Sequence, residues 1–124
     1  MTDGKETKTL WAGRHVSLVA RGGWEYATRN TGRPAVGIVA VTDAGNVVLV
    51  EQHRPPINRN VIELPAGLAG DIAGGEQESL LDAAKRELLE ETGYSASRWS
   101  QLTSGYSSPG LTDESIVLFF WRRA

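Results

Sequence analysis

Glu87, Glu90 and Glu91 stand at i, i+3 and i+4, a spacing that gathers three carboxylates on one face of a helix. Like charges so placed repel. Near a helix C-terminus they also meet the negative end of the helix dipole, at roughly 0.3 to 1 kcal/mol per acid. A divalent cation offsets both costs. Ligation by oxygen alone, with no His or Cys nearby, suits Mg²⁺ or Mn²⁺, hard ions that accept a few carboxylates and keep positions for water and phosphate. A solvated acidic face, partly neutralised by Lys85 and Arg86, would use the same residues.

The element that positions them is the clearest in the chain. Residues 76–92 hold strong helix formers without internal Gly or Pro, and Gly93 stands where a C-terminal cap belongs. Leu81, Ala84 and Leu88 form the stripe expected to pack on a sheet. Before the helix, β-prone runs cover residues 15–20, 24–29 and 35–41. A turn at Asp43-Ala44-Gly45-Asn46 predicts a hairpin between 35–41 and a returning strand at 47–51. A short strand at 61–64 ends at Pro65, and residues 67–75, with four Gly, read as a flexible loop. Strands at 99–103 and 116–121 flank the Gly/Ser/Pro stretch 104–110. Strands on both sides of one helix predict an α+β sheet domain over residues 14–124, with 1–13 a loose tail.

Composition narrows the function. A chain of 124 residues with 40% hydrophobic and 23% charged residues has one core and one site to offer. Thirteen basic against fifteen acidic residues give a net charge of -2, so no global cationic field draws nucleic acid or an anionic membrane, and an anionic ligand must be held locally. The absence of Cys excludes disulfides, a thiolate nucleophile and Cys-ligated metal, and fits a reducing cytoplasm. No stretch is long and apolar enough for a membrane span.

Glu78, seven residues, then Arg86-Glu87-Leu88-Leu89-Glu90-Glu91-Thr92-Gly93 resembles the Nudix box, G-x5-E-x7-R-E-U-x-E-E-x-G-U, with U a bulky apolar residue. Two features depart from it: ten residues, not five, separate Gly67 from Glu78, and Tyr94 fills the last U position. The resemblance implies the Nudix fold, a mixed β-sheet sandwiched between helices with an N-terminal antiparallel strand region. It also implies metal-dependent hydrolysis of a nucleoside diphosphate derivative. Under it Glu87, Glu90 and Glu91 become metal ligands, Arg86 forks onto a neighbouring Glu, and Glu78 is either a second-tier ligand or a group standing behind the ligands.

Further segments are similar to the ADP-ribose pyrophosphatase subfamily. Pro109, sixteen residues beyond Gly93, lies in a matching loop, though Pro109-Gly110 also reads as a plain turn. Gln52-His53-Arg54-Pro55-Pro56 resembles a Q-x-R-P-P segment whose Arg binds phosphate; a strand-end Arg in water fits equally, and His53 reads as structural. Trp24-Glu25-Tyr26-Ala27-Thr28-Arg29 resembles W-E-x-x-x-R, implying Trp24 stacked on adenine, Glu25 accepting from its amino group and Arg29 near phosphate, while a core position suits a strand Trp equally. Glu63-Leu64-Pro65-Ala66-Gly67-Leu68 resembles E-x-P-A-G, whose backbone groups at Ala66 and Leu68 serve the site, Ala66 also as a metal ligand.

The subfamily pattern continues past the last strand through a loop, strand and helix carrying a Glu that serves as base. Residues to Ala124 offer no match for it: either the chain is a fragment without that segment, or a nearer acid such as Glu114 replaces that Glu. The implied substrate is ADP-ribose, with AMP and ribose 5-phosphate as products, and the implied assembly a homodimer sharing N-terminal strands. Another nucleotide sugar or a dinucleoside polyphosphate, or non-catalytic binding of ADP-ribose, are the alternatives.

Overall fold

The computed structural model describes residues 6–70, 74–75 and 77–122. Two apolar strands form its centre. β4 (Ala35–Val41) and β9 (Ser115–Arg122) run parallel, pairing Val36 with Val117, Ile38 with Phe119 and Ala40 with Trp121. These six side chains recur at every second residue, so all reach one face. That face is the core, closed by Ala83, Ala84 and Leu88 of helix α1 (Leu80–Thr92). β7 (Ala66–Leu68) and β8 (Trp99–Tyr106) complete a mixed sheet in the order β7-β4-β9-β8.

A second, three-stranded antiparallel sheet comprises β1 (Thr7–Ala12), β2 (Val16–Arg21) and β3 (Trp24–Arg29). Hence much of the segment expected as a loose tail is a strand: Lys8 pairs with Ala20 and Trp11 with Leu18. β5 (Val50–Arg54) and β6 (Arg59–Glu63) form a separate hairpin. The hairpin expected between 35–41 and 47–51 therefore shrinks to a Val41–Val47 bridge and a Val48 N–H bond to Ala40 O. The reason is edge occupancy. β9 pairs along one edge of β4, β7 takes residues 35–37 of the other, and the 47–48 segment finds only the remainder.

The helix begins later than the pattern predicts. Ser79 is its N-cap, with Oγ accepting from the Asp82 amide at 3.1 Å, and Gly93 ends it in the left-handed conformation at φ 78°. Glu76, the expected start, and residues 71–73 of the expected loop lie outside the described residues. The buried stripe includes Ala83 and Glu87, with Leu81 only half-buried. Among the described residues α1 is the one helix, so the layers are helix on sheet, without the second helical layer that the resemblance implies. No helix among them is long and apolar enough to cross a membrane.

Candidate functional site

Helix α1 presents its acids to the end of β7, and Arg86 organises them. Its guanidinium forks onto Glu78, Nε to Oε2 at 2.8 Å and Nη2 to Oε1 at 3.0 Å. Nη1 reaches Glu87 Oε1 at 3.0 Å and Glu90 Oε2 at 3.4 Å, and Nη2 also approaches the Leu68 carbonyl at 3.4 Å. One planar cation thus ties the three acids to the β7 backbone, as the fork geometry of Arg permits and Lys does not. The Gly70 amide donates to Glu78 Oε1 at 3.0 Å. The Arg86 bonds, aided by this amide, hold the Glu78 carboxyl below its ordinary range, and the same bonds to Glu78 raise Arg86.

Glu87 is only 9% exposed. Burial pushes its carboxyl up despite Arg86. It can lie so deep because Gly67 lies beneath it: a Cβ at Gly67 would meet Glu87 Cγ at 2.6 Å and come nearer still to the carboxylate. Glu91 is turned to β7, where the Ala66 amide donates to its Oε2 at 3.3 Å. Burial raises Glu91 too, against the pull of the Ala66 amide, the Gln52 side chain and the Arg54 charge. Glu90 is the exposed member, its side chain 55% accessible.

The donor chemistry fits a hard divalent cation. All candidate ligands are oxygens, and two carboxylates whose burial Arg86 does not compensate would gain from added positive charge. Yet no three acidic or imidazole side chains among the described residues converge as a ligand shell. Arg86 Nη1 stands between Glu87 and Glu90, and Glu91 faces the Ala66 amide. Glu78 has both oxygens engaged and acts as the anchor of Arg86.

The remaining candidates divide into two groups. Arg54 lies beside the helix end, its Nε on Glu63 Oε2 at 2.7 Å with a second bond from Nη2 to Oε1. Trp24 lies elsewhere, with Arg21, Tyr26, Tyr106, Pro109, Thr112 and Asp113 around a cavity of about 410 Å³ to which α1 contributes nothing. Trp24 is 64% exposed, so it is not core, and its Nε1 donates to the Gly110 carbonyl at 3.1 Å. Alternation along β3 puts Tyr26 beside Trp24 and sends Glu25 to the opposite face, away from any base stacked on Trp24. Arg29 is bonded to Glu114, which also accepts from Ser107 Oγ at 3.3 Å. Neither has a described bond to the helix acids.

Sequence reasoning passed over Tyr26 and Arg21. Both were legible: Tyr26 stands two residues from Trp24 on one strand, and Arg21 is the cross-strand partner of Trp24.

The chain resembles known proteins in sequence and in fold. The NUDIX domain model matches residues 31–124. Over 85 residues the chain is 42% identical to the ADP-ribose pyrophosphatase of Bacillus subtilis (strain 168), covering 68% of this chain and 43% of that protein. It is 46% identical over 85 residues to the ADP-ribose pyrophosphatase of Mycobacterium tuberculosis (strain ATCC 25618 / H37Rv), covering 68% and 39%. The chain thus spans under half the length of these curated relatives. A solved structure described as an ADP compounds hydrolase shares the fold at TM-score 0.74 and 23% identity, covering 95% of this chain and 65% of that one. A domain match reaching from just before β4 to the end of β9, with the Arg86-centred acids at its heart, establishes that the chain belongs to the Nudix family.

Proposed function

We propose that this domain hydrolyses the pyrophosphate bond of ADP-ribose, giving AMP and ribose 5-phosphate, with Mg²⁺ or Mn²⁺ held by Glu87, Glu90, Glu91 and the Ala66 carbonyl. The observation that carries the reading is the Arg86 hub, which holds acids of a helix end against the backbone of β7. The names of the relatives at 42% and 46% identity support the choice of substrate. When bound, a divalent ion would neutralise non-bridging phosphate oxygens and orient a water for in-line attack.

The chain's own residues supply orientation. Arg86 keeps Glu87 and Glu90 from splaying apart, and the Ala66 amide fixes one oxygen of Glu91. Arg54, forked on Glu63, offers a guanidinium beside Glu91 on which a phosphate oxygen can settle. Trp24 and Pro109 would take the adenosine end in a cavity whose size is ordinary for small ligands. Glu114, engaged by Arg29 and Ser107, would brace that side.

Because the Trp24 cavity and the helix acids share no wall, we propose a homodimer joined through the N-terminal sheet. Exposed Leu10, Trp11, Val16 and Leu18 support it. We place the protein in the cytoplasm, a compartment compatible with a Cys-free chain. Turnover of ADP-ribose with Mg²⁺, Mn²⁺ or EDTA, run beside calorimetric binding, tests the activity. Metal-dependent release of AMP is expected; binding without turnover would leave a non-catalytic ADP-ribose module, and equal turnover of GDP-mannose and diadenosine polyphosphates would remove the substrate assignment.

A further inference from the structure

Arg33 precedes β4, in the segment that joins the two sheets, and its Nη2 donates to the backbone carbonyl of Glu78 at 2.6 Å. That carbonyl has no helical donor. In a helix one residue longer it would accept from the Asp82 amide, but the Ser79 hydroxyl takes that N–H at 3.1 Å, and the helix ladder starts with Ala83 on the Ser79 carbonyl. An N-cap therefore frees the oxygen that Arg33 occupies. The side chain of the same residue is gripped from the other direction, by the Arg86 fork and the Gly70 amide. Main chain and carboxylate of Glu78 are thus fixed by two arginines from different elements.

We propose that Arg33 is a positioning residue for the carboxylate cluster: by holding the Glu78 carbonyl it sets where the Glu78 carboxylate meets Arg86, and through Arg86 how Glu87 and Glu90 are held. Supports bonded directly to metal ligands are worth about 10- to 100-fold in metal affinity or activity, and Arg33, acting through Glu78 and Arg86, belongs at the low end of that range. The catalytic consequence rests on the hydrolase reading above; the placement of Glu78 does not.

The test uses Arg33→Met, which keeps bulk and removes the donors, and Arg33→Lys, which keeps charge and one donor group. Amide exchange at Gly70 reports the Glu78 carboxylate directly, because Gly70 N–H is bonded to it, and Ile38, whose amide donates to Pro65 O in the sheet, is the internal reference. Arg33→Met should exchange at Gly70 about tenfold faster relative to Ile38, bind Mn²⁺ about tenfold more weakly by electron paramagnetic resonance, and lose about tenfold in kcat with KM within about twofold. Arg33→Lys should recover most of each loss. Gly70 exchange within about twofold of wild type, or an Arg33→Met chain that does not fold, overturns the positioning role. If wild-type protein neither binds Mn²⁺ nor hydrolyses ADP-ribose, the hydrolase reading falls, while Gly70 exchange still decides where Glu78 is held.

Discussion

Substituting Gly67 by Ala is the most direct trial of how the cluster is built. The added methyl carbon would stand 2.6 Å from Glu87 Cγ, whereas carbon contacts are comfortable only at about 3.5 to 4.0 Å. Because the carboxyl carbon and Oε1 stand nearer still, Glu87 must withdraw by at least about 1 Å. It has little room to do so, being 9% exposed and bonded to Arg86 at 3.0 Å. Overpacking of this kind costs about 1 to 3 kcal/mol. With an unfolding entropy near 2.1 cal/mol/K per residue, a domain of this size should melt about 4 to 12 °C lower. Displacing a candidate ligand by that distance should also lower kcat for ADP-ribose by about 100-fold. Gly105→Ala is the control, because a Cβ there meets nothing within 4 Å. Calorimetric melts and steady-state rates of the two variants give the answer. If Gly67→Ala matches Gly105→Ala in both Tm and kcat, Glu87 is not held as described.

Mg²⁺ or Mn²⁺ at about one hundred times its Kd should stabilise the protein by about 2.7 kcal/mol relative to EDTA; identical melting points would remove the metal site. Glu90→Gln should lose at least about tenfold in kcat while the exposed first-turn change Asp82→Asn loses little, and equal losses would count against Glu90 as a ligand. Glu63 lies below its ordinary 4.5 because Arg54 hydrogen-bonds to its charged form. With the folded value below the unfolded one, this pair stabilises at neutral pH and loses its contribution, up to about 1 kcal/mol, as pH falls through the folded value. Urea melts should therefore show wild type losing more stability than Glu63→Gln between neutral pH and about pH 3, and parallel curves would refute the linkage. Trp24→Ala should raise KM for ADP-ribose with a smaller change in kcat, since stacking acts alike on ground and transition states; an unaltered KM would take the base out of the Trp24 cavity.

What could be read from residues alone were the patterns that repeat within one element. The helix was legible because former residues, the acid spacing and Gly93 agree, and the start moved to Ser79 because a hydroxyl captured the Asp82 amide. β4 and β9 were legible as apolar runs, but their parallel pairing and the short stay of residues 47–48 depend on which edge is already filled. Thr7–Ala12 has no apolar alternation to announce a strand, and becomes one because β2 supplies a paired edge. The same limit applies at the site. Glu87, Glu90 and Glu91 stood together by spacing, whereas the division of labour in which Glu78 anchors Arg86 and Glu91 turns to Ala66 arises from β7 lying against the helix. Trp24 and Glu25 are neighbours in sequence and occupy opposite faces of one strand, which period-two geometry alone would have separated.

The junction between the two sheets runs largely through residues 110–114. The carbonyls of Gly110 and Leu111 accept from Trp24 Nε1 and the Ala27 amide, Asp113 accepts from Thr28, and Glu114 holds Arg29. Directly after them the chain enters β9, the strand that carries Phe119 and Trp121 into the core. No side chain of β1 to β3 belongs to the buried apolar cluster under the helix, so the N-terminal sheet should open more readily than the helix and mixed sheet. A ligand clamped between Trp24 and Pro109 would close that opening from the outside. Its occupancy should then be written in the exchange of amides in β1 to β3, well away from the carboxylates, before any change in the global melting point.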